Sequence, residues 1–426
     1  MRIFKFGGAS IKNADSIRNV ALLLNNYKDE NIAIVLSAMG KNTNKLEELT
    51  KSVFSGNESS IKIFNSFKDY HLQIINDLYP GISEIPNKIS ALFNKLEDII
   101  ISSKEQNDSA KVAYEKLYDV IVPFGELLST TILYDFLLKT EFNIKWIDAG
   151  ELIKTDNTFK EGKVNWTETE KNTRSITDEL FAKSNLIITQ GFIGATVNGE
   201  YTTLGKEGSD YTASILANIL DAEECIIWKD VPGVMNADPE LNLNTILIDK
   251  LSYKEAIELT YYGAKVIHPK TIKPLENKNI PLFVKSFKEP ENAGTIISNF
   301  KYLDFIPMFI FKHKQVLISI SAKDLSFITE SSLHRIFGLI SYYGVKINLM
   351  QSSAISFSIC IDMSEKLFVL ISDLQNDFFV KYNENLEIIT IRHYNDEAIE
   401  KVLKDKMVIM EQRSRSTIQM VVENNK

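Results

Sequence analysis

Three stretches of the chain bear glycines next to residues suited to work on a charged ligand. Residues 5–10 read Lys-Phe-Gly-Gly-Ala-Ser, directly after a β-prone start, Met-Arg-Ile-Phe. Glycines at a strand end let backbone N–H groups come close to a ligand, and a following helix N-terminus favours negative charge. Lys5 beside such a turn would neutralise a phosphoryl group in transfer; the plain alternative is a tight turn with no ligand. Residues 202–213, TTLGKEGSDYTA, make a second glycine loop that opens a helix. Ser209 is a good N-cap there. Asp210, at the helix entry, would also serve simply by stabilising the N-terminal dipole. Two such loops at strand C-termini in one α/β unit point to a single anionic ligand between them. In the third stretch, VPFGELLST (122–130), Glu126 follows a proline and a glycine. A carboxylate there would receive a substrate ammonium, or stand as an exposed acid at a helix start.

Two further segments have weaker chemistry. In IWKDVPGVMNADPE (227–240), Lys229 and Asp230 precede a Pro-Gly turn that suits a nucleoside-binding loop, although turns of this composition are common. In YYGAKVIHP (261–269), Lys265 sits at a glycine-containing junction, where a lysine is ordinarily solvated surface. Neither GxxxxGK[ST] nor GxGxxG occurs, so P-loop and dinucleotide chemistry are not indicated.

The elements that must position these residues alternate. MRIFKFG and NIAIVLSAM read as buried strands, and between them ADSIRNVALLLNNY places Ile17, Val20, Leu23 and Leu24 at helical spacing. This βαβ unit implies a parallel sheet. Residues 43–118 read as amphipathic helices. NIKWIDA, NLIITQGFIGA and CIIWKDV read as further strands, and Asn198-Gly199 marks a hairpin turn. KEPENAG (288–294) reads as a boundary loop. Beyond about 313 the pattern becomes βαββαβ, a small α+β module, followed by a shorter helix–strand–strand echo that shares IITIRHY.

The 426 residues exceed one ordinary core, so two or three domains are expected. The net charge of −8 argues against bulk nucleic-acid binding. Cys225 and Cys360 lie in apolar, strand-like segments, which gives no disulfide framework or thiolate zinc site and fits a reducing cytoplasm. The five histidines lack metal-ligand spacing. No run approaches about 18 apolar residues, and Arg2 and Lys5 interrupt any leader, so neither a membrane span nor a signal peptide is expected.

Taken together and in this order, KFGGAS, SAMGKNTN, FGELLS, GFIG, TTLGKEGSDYTA, WKDVPGVMNADP, GAKVIHP and PLFVKSF resemble the aspartate kinases along essentially the whole chain. The tail resembles that family's ACT regulatory modules. The resemblance implies a three-layer αβα amino-acid kinase core with a mainly parallel sheet over 1–298. It implies an ACT module over 305–394 and a truncated ACT-like module over 386–426. The implied reaction moves the ATP γ-phosphoryl group to the β-carboxylate of L-aspartate, giving 4-phospho-L-aspartate and ADP, the first step toward lysine, threonine and methionine. Mg²⁺ would be held mainly by nucleotide phosphates, with no protein metal ligand. Such transfer needs positioning and charge neutralisation rather than covalent chemistry. The attacking carboxylate is already ionised at neutral pH.

Carried over by position, Lys5, Asp210 and Lys265 are the catalytic residues. Lys5 would touch the transferring phosphoryl group, Asp210 would orient the lysines, and Lys265 would reach the nucleotide phosphates. Ser37, Thr43, Glu126, Phe192, Lys206 and Ser209 would hold aspartate, with Glu126 at its ammonium. Gly7, Gly8, Ser10, Lys229, Asp230 and Met235 would join Lys5 and Lys265 around ATP. The chain also departs from the family. Ala9 replaces a threonine, leaving Ser10 as the nearest hydroxyl, and Lys206 replaces an arginine, a point charge in place of a bidentate fork. Lys229, Met235 and Glu240 differ from the usual nucleotide loop, so the family's tyrosine and arginine roles there are not carried over. Asn348, preceded by Lys346, stands where lysine-inhibited relatives have an effector-binding aspartate, so lysine or threonine inhibition has little support. A homodimer through 305–426 is implied, and no homoserine dehydrogenase extension is expected. The competing readings are another amino-acid kinase, acting on glutamate, acetylglutamate or a nucleoside monophosphate, and a non-catalytic amino-acid sensor.

Overall fold

The computed structural model describes residues 1–81, 85–103, 111–241, 244–264, 267–301, 305–324 and 326–424. Its contacts divide the chain into two units. One comprises Met1–Val234, Leu247–Ile257 and Ile267–Lys301; the other comprises Met235–Ile246, Glu258–Val266 and Tyr302–Lys426.

A parallel strand covered on both faces needs an unbroken apolar run, and the first unit has several. β1 (Arg2–Phe6), β2 (Ile32–Leu36) and β4 (Leu186–Gln190) are buried along nearly their whole length. With β3 (Ile144–Trp146), β7 (Glu224–Lys229), β8 (Lys250–Ser252), β9 (Leu282–Ser286) and β10 (Thr295–Ser298) they form an eight-stranded sheet, in the order β3-β4-β2-β1-β7-β9-β10-β8. β1 lies between β2 and β7, parallel to both. At the far edge β10 and β8 run parallel to each other and antiparallel to β9. Residues 288–294 therefore link two neighbours of one sheet rather than ending it. A separate pair, β5 (Ile193–Ala195) and β6 (Tyr201–Thr203), is the hairpin turned by Asn198-Gly199.

The helix Ala14–Asn25 is capped by Asn13, whose side chain accepts from Ser16 N at 2.9 Å, and it buries Ile17, Val20, Leu23 and Leu24. The helices Asn42–Phe54, Ser59–Leu78 and Asn87–Ser103 add Leu46, Leu49, Phe64, Phe67, Phe93 and Leu96 to the same core. Under β1, Phe4 and Phe6 pack on Trp228 at ring separations of 5.6 and 6.2 Å. Residues 114–139, across the helices Lys111–Ile121 and Phe124–Lys139, are by length and composition capable of crossing a membrane. Most of that stretch is buried inside the protein, the property of a core helix. Both cysteines are buried and unpaired.

The second unit carries a six-stranded antiparallel sheet of β11 (Met308–Ala322), β12 (Ile347–Ser352), β13 (Ser356–Asp362), β14 (Phe378–Arg392), β15 (Lys406–Arg413) and β16 (Thr417–Asn424), in the order β12-β13-β11-β14-β16-β15. The helices Glu330–Tyr342 and Leu367–Asp377 cover Val316, Ile318, Ile320 and Ile359. A third helix, Asp396–Leu403, covers Ile389, Ile391, Ile418 and Met420. β11 and β14 run through both halves of this sheet. Met308–Lys312 pairs with Ile388–Arg392, and Leu317–Ala322 pairs with Phe378–Asn383. The register shifts between Lys312 and Leu317, where Lys314 adopts a left-handed conformation.

Candidate active site

Lys5 is the penultimate residue of β1, and its place in the sheet is fixed by Val35 and Ile227 on either side. Its ammonium lies 2.6 Å from Asp210 Oδ1, and the two residues are only 8% and 5% exposed. Asp210 belongs to the first turn of the helix Gly208–Ile219. Burial alone would raise its pKa, but the charges of Lys5 and Lys229 outweigh that and hold it below the ordinary value.

The glycine loops meet by close backbone approach. A β-carbon on Gly8 would lie 2.4 Å from the Gly40 carbonyl and 2.6 Å from that of Ala38, so no side chain fits where the turn after β1 meets the turn after β2. Gly191, after β4, likewise leaves room only for Ser209; a β-carbon there would lie 2.4 Å from the Ser209 β-carbon. Phe192 follows in a left-handed conformation, with its N–H donated to Thr212 Oγ1 at 3.0 Å. The ends of β1, β2 and β4 and the start of one helix thus converge.

Glu126 approaches from the first turn of the helix Phe124–Lys139. Its Oε1 accepts the Ala38 N–H at 2.9 Å, and Ser129 Oγ donates to Ser37 O at 2.8 Å, which ties this helix to the turn after β2. Glu126 Oε2 is buried without a hydrogen-bond partner. Burial pushes the Glu126 carboxyl up to about 8, against the opposing effects of the Ala38 N–H and Lys5.

A cavity of about 430 Å³ joins these groups. Of the residues expected from sequence, Lys5, Ser37, Thr43, Glu126, Phe192, Lys206, Ser209 and Asp210 all line it. Gly7 and Gly8 form the turn beneath rather than the wall. Ser10 is fully buried and donates to Trp228 O at 3.2 Å, so its hydroxyl does not open on the cavity. Lys229 ends β7, and Asp230 is exposed just beyond it. Met235 belongs to the second unit. Lys265 lies outside the described residues.

Sequence reasoning missed Glu47, Tyr118, Lys160, Glu161 and Glu207, which also line the cavity, together with Gly205 and Gly208 of the second glycine loop. Tyr118 donates to Glu47 Oε1 at 2.8 Å, and Glu207 Oε2 accepts the His268 N–H at 3.0 Å. Behind the wall the fully buried Asp119 accepts from Lys160 N at 2.7 Å, Thr203 N at 3.1 Å and Thr203 Oγ1 at 2.7 Å. Burial raises its carboxyl to about 6 in spite of these donors. No local signal marked Asp119, because its partners stand about forty and eighty residues away. Chemically, the cavity offers one lysine clamped beside a carboxylate, one carboxyl with an open oxygen, and two lysines on adjoining loops. Among the described residues, no group of three or more His, Cys, Asp or Glu side chains is placed to hold a metal ion.

Residues 1–286 match the amino acid kinase family. The chain is 30% identical to lysine-sensitive aspartokinase 3 of Escherichia coli, over 84% of this chain and 78% of that protein. It is also 30% identical to the bifunctional aspartokinase/homoserine dehydrogenase of Buchnera aphidicola, over 92% of this chain, and spans about half (49%) of that protein's length. The fold superposes on E. coli aspartokinase III in complex with aspartate and ADP (R-state) with a TM-score of 0.81, at 25% identity, covering 99% of this chain and 96% of that one. Clostridium acetobutylicum aspartate kinase gives a TM-score of 0.77 at 24% identity, covering 99% and 96%.

Proposed function

The chain belongs to the aspartokinases of the amino acid kinase family, and we propose on that premise that its cavity transfers the γ-phosphoryl group of ATP to the β-carboxylate of L-aspartate. The observation that carries this reading is the Lys5–Asp210 pair at 2.6 Å in one cavity with a carboxyl, Glu126, whose second oxygen is open. A zwitterionic amino acid with a second carboxylate fits that arrangement.

Glu126 receives the substrate ammonium, which supplies the missing partner and draws the carboxyl into its charged form. Lys206 takes the α-carboxylate. Ser37, Thr43, Phe192 and Ser209 shape the pocket so that the β-carboxylate points toward Lys5. A carboxylate oxygen forms the new bond to the γ-phosphorus as the bond to the ADP oxygen breaks, and no proton needs to leave the nucleophile. Lys5 meets the charge spread over the transferring oxygens, and Asp210 keeps its ammonium aimed. The donor set fits Mg²⁺ only as an ion carried by the nucleotide's own phosphates, where it would neutralise charge between the β and γ groups. Lys229 and Asp230 are assigned to the nucleotide, and Gly7 and Gly8 to the turn that brings backbone N–H groups toward it.

The second unit is assigned a regulatory and dimerising role. Asn348 is already engaged there: its Oδ1 accepts from Lys312 at 2.9 Å, and its Nδ2 donates to Gln315 at 2.8 Å and Asp362 at 3.0 Å. An ammonium of the chain itself thus stands against it, so lysine is not expected to inhibit; titrating activity with lysine and threonine tests this. A cytoplasmic setting fits the two buried, unpaired cysteines. Coupled ADP-release assays with L-aspartate, glutamate and acetylglutamate test the main reading. Aspartate should turn over fastest, because an acetylated amine has no ammonium for Glu126. Faster turnover of acetylglutamate, or an unchanged rate in Lys5→Ala and Asp210→Ala, would overturn the assignment.

A further inference from the structure

We propose that Lys160 is a specificity-determining residue, which grips the non-reacting α-carboxylate of the substrate together with Lys206; the inference rests on the aspartokinase reading above. Lys160 has φ 68°, in the left-handed region. A residue with a β-carbon is uncommon there, and lysine has no local hydrogen bonding to favour it. Such a conformation persists where its surroundings over-determine it, most often at ligand sites. The surroundings here are specific. Its N–H is held by the fully buried Asp119 at 2.7 Å, and its carbonyl accepts from Thr203 Oγ1 at 3.2 Å.

This backbone sets the direction of the side chain. The ammonium lies over the rings of Tyr118 and Tyr114, at 5.0 and 5.6 Å from their centroids. Aromatic faces hold a cation without neutralising it. Among the described residues Lys160 has no carboxylate within ion-pair distance, whereas Lys5 is committed to Asp210. The cavity wall carries five carboxyl groups, on Glu47, Glu126, Glu161, Glu207 and Asp210, against three lysines. A substrate with two carboxylates therefore finds only Lys160 and Lys206 for the one that does not react. The two lysines sit on touching loops: a β-carbon on Gly205 would lie 3.6 Å from Lys160 O, and Gly162 N donates to Thr203 O at 2.8 Å. Two point charges from two loops then perform the clamping that one lysine alone lacks.

The test uses the full chain in steady-state ADP release, with Lys160→Asn and Lys160→Arg. Asparagine tolerates the left-handed backbone and removes the charge; arginine keeps the charge. The expected result for Lys160→Asn is a roughly tenfold rise in KM for L-aspartate, with kcat and KM for ATP within about twofold. Lys160→Arg should restore most of the affinity. β-Alanine, which is aspartate without its α-carboxylate, should inhibit wild type and Lys160→Asn with the same Ki. The melting temperature of Lys160→Asn without ligand should not fall, since the substitution relieves backbone strain. An unchanged KM for aspartate, an equal loss for β-alanine, a rise confined to ATP, or a lowered melting temperature accompanying the loss would each overturn the role of Lys160. Wild-type protein that turns over no aspartate would instead overturn the reading beneath it, and would do so before any variant is made.

Discussion

Glu126 makes a prediction that joins binding to proton uptake. Its carboxyl is pushed by burial from an ordinary 4.5 to about 8, and Oε2 has no partner. At pH 7 about 0.9 of the free protein then carries this proton. An ammonium docking on Glu126 favours the charged form, so binding L-aspartate should release close to one proton at pH 7. The measurement is calorimetric titration in buffers of different ionisation enthalpy, where the slope of observed enthalpy against buffer enthalpy counts protons. Glu126→Gln can keep the Ala38 N–H bond but not the charge. It should abolish the release and weaken aspartate binding roughly 10- to 100-fold, the worth of a hydrogen bond to a charged group. The same shift acts on stability. Folding takes up a proton between pH 4.5 and 8, so stability is lost as pH rises through that window, with an upper bound on the order of 5 kcal/mol. Without ligand, Glu126→Gln should therefore match wild type near pH 5 and melt progressively higher than wild type toward pH 9. A binding enthalpy indifferent to buffer at pH 7, or melting curves that stay parallel across the range, would refute the reasoning.

Lys5→Met leaves the Asp210 charge buried without its partner; it should cost about 3–5 kcal/mol and lower kcat at least a hundredfold. Adding Asp210→Asn should recover stability in urea melts without recovering activity. Gly8→Ala drives a β-carbon into two backbone carbonyls, so a drop in both melting temperature and kcat is expected, and a wild-type melt would contradict the close approach of the two turns. His71 is fully buried and held neutral, with burial lowering its pKa to about 4 while Nδ1 lies 2.8 Å from Phe67 O. The unfolded chain binds that proton first, so stability should fall by roughly 3 kcal/mol as pH drops from 6.5 through 4. His71→Met should remove about one proton from the slope of urea midpoint against pH.

The first β-α-β unit was readable because its signals are local. A fully apolar strand, a capped amphipathic helix and a second apolar strand leave few alternatives for residues 2–36. The core of the site was readable for a related reason: Lys5, Glu126, Ser209 and Asp210 stand at strand ends or first helical turns, which a parallel sheet gathers at one edge. Asp119, Lys160 and Glu161 lack such marks. A lysine in a charged stretch becomes a cavity residue only when Asp119 and Thr203, distant in sequence, meet its backbone. Ser10 shows the converse. It occupies the right stretch, but one turn of short helix after Gly7 sends its hydroxyl to the carbonyl of Trp228. The turn at 288–294 has the composition of a linker, yet Thr295–Ser298 returns to pair with β9; only the partner strand distinguishes the two.

The continuity of β11 and β14 also sets an order of events on the ribosome. The outer segment, Leu317–Ser321, finds a partner as soon as β13 has emerged, but Met308–Lys312 pairs only with residues of β14 made about eighty residues later. At ordinary synthesis rates that delay is roughly 4 to 16 s. In the later part of it an apolar strand, Met-Phe-Ile-Phe, waits with its β14 edge open, beside a half-sheet formed from the same strand and β13. Nascent chains should be most prone to aggregate, and most dependent on holding chaperones, when arrested at lengths that have let β13 emerge from the ribosome but still hold β14 inside it.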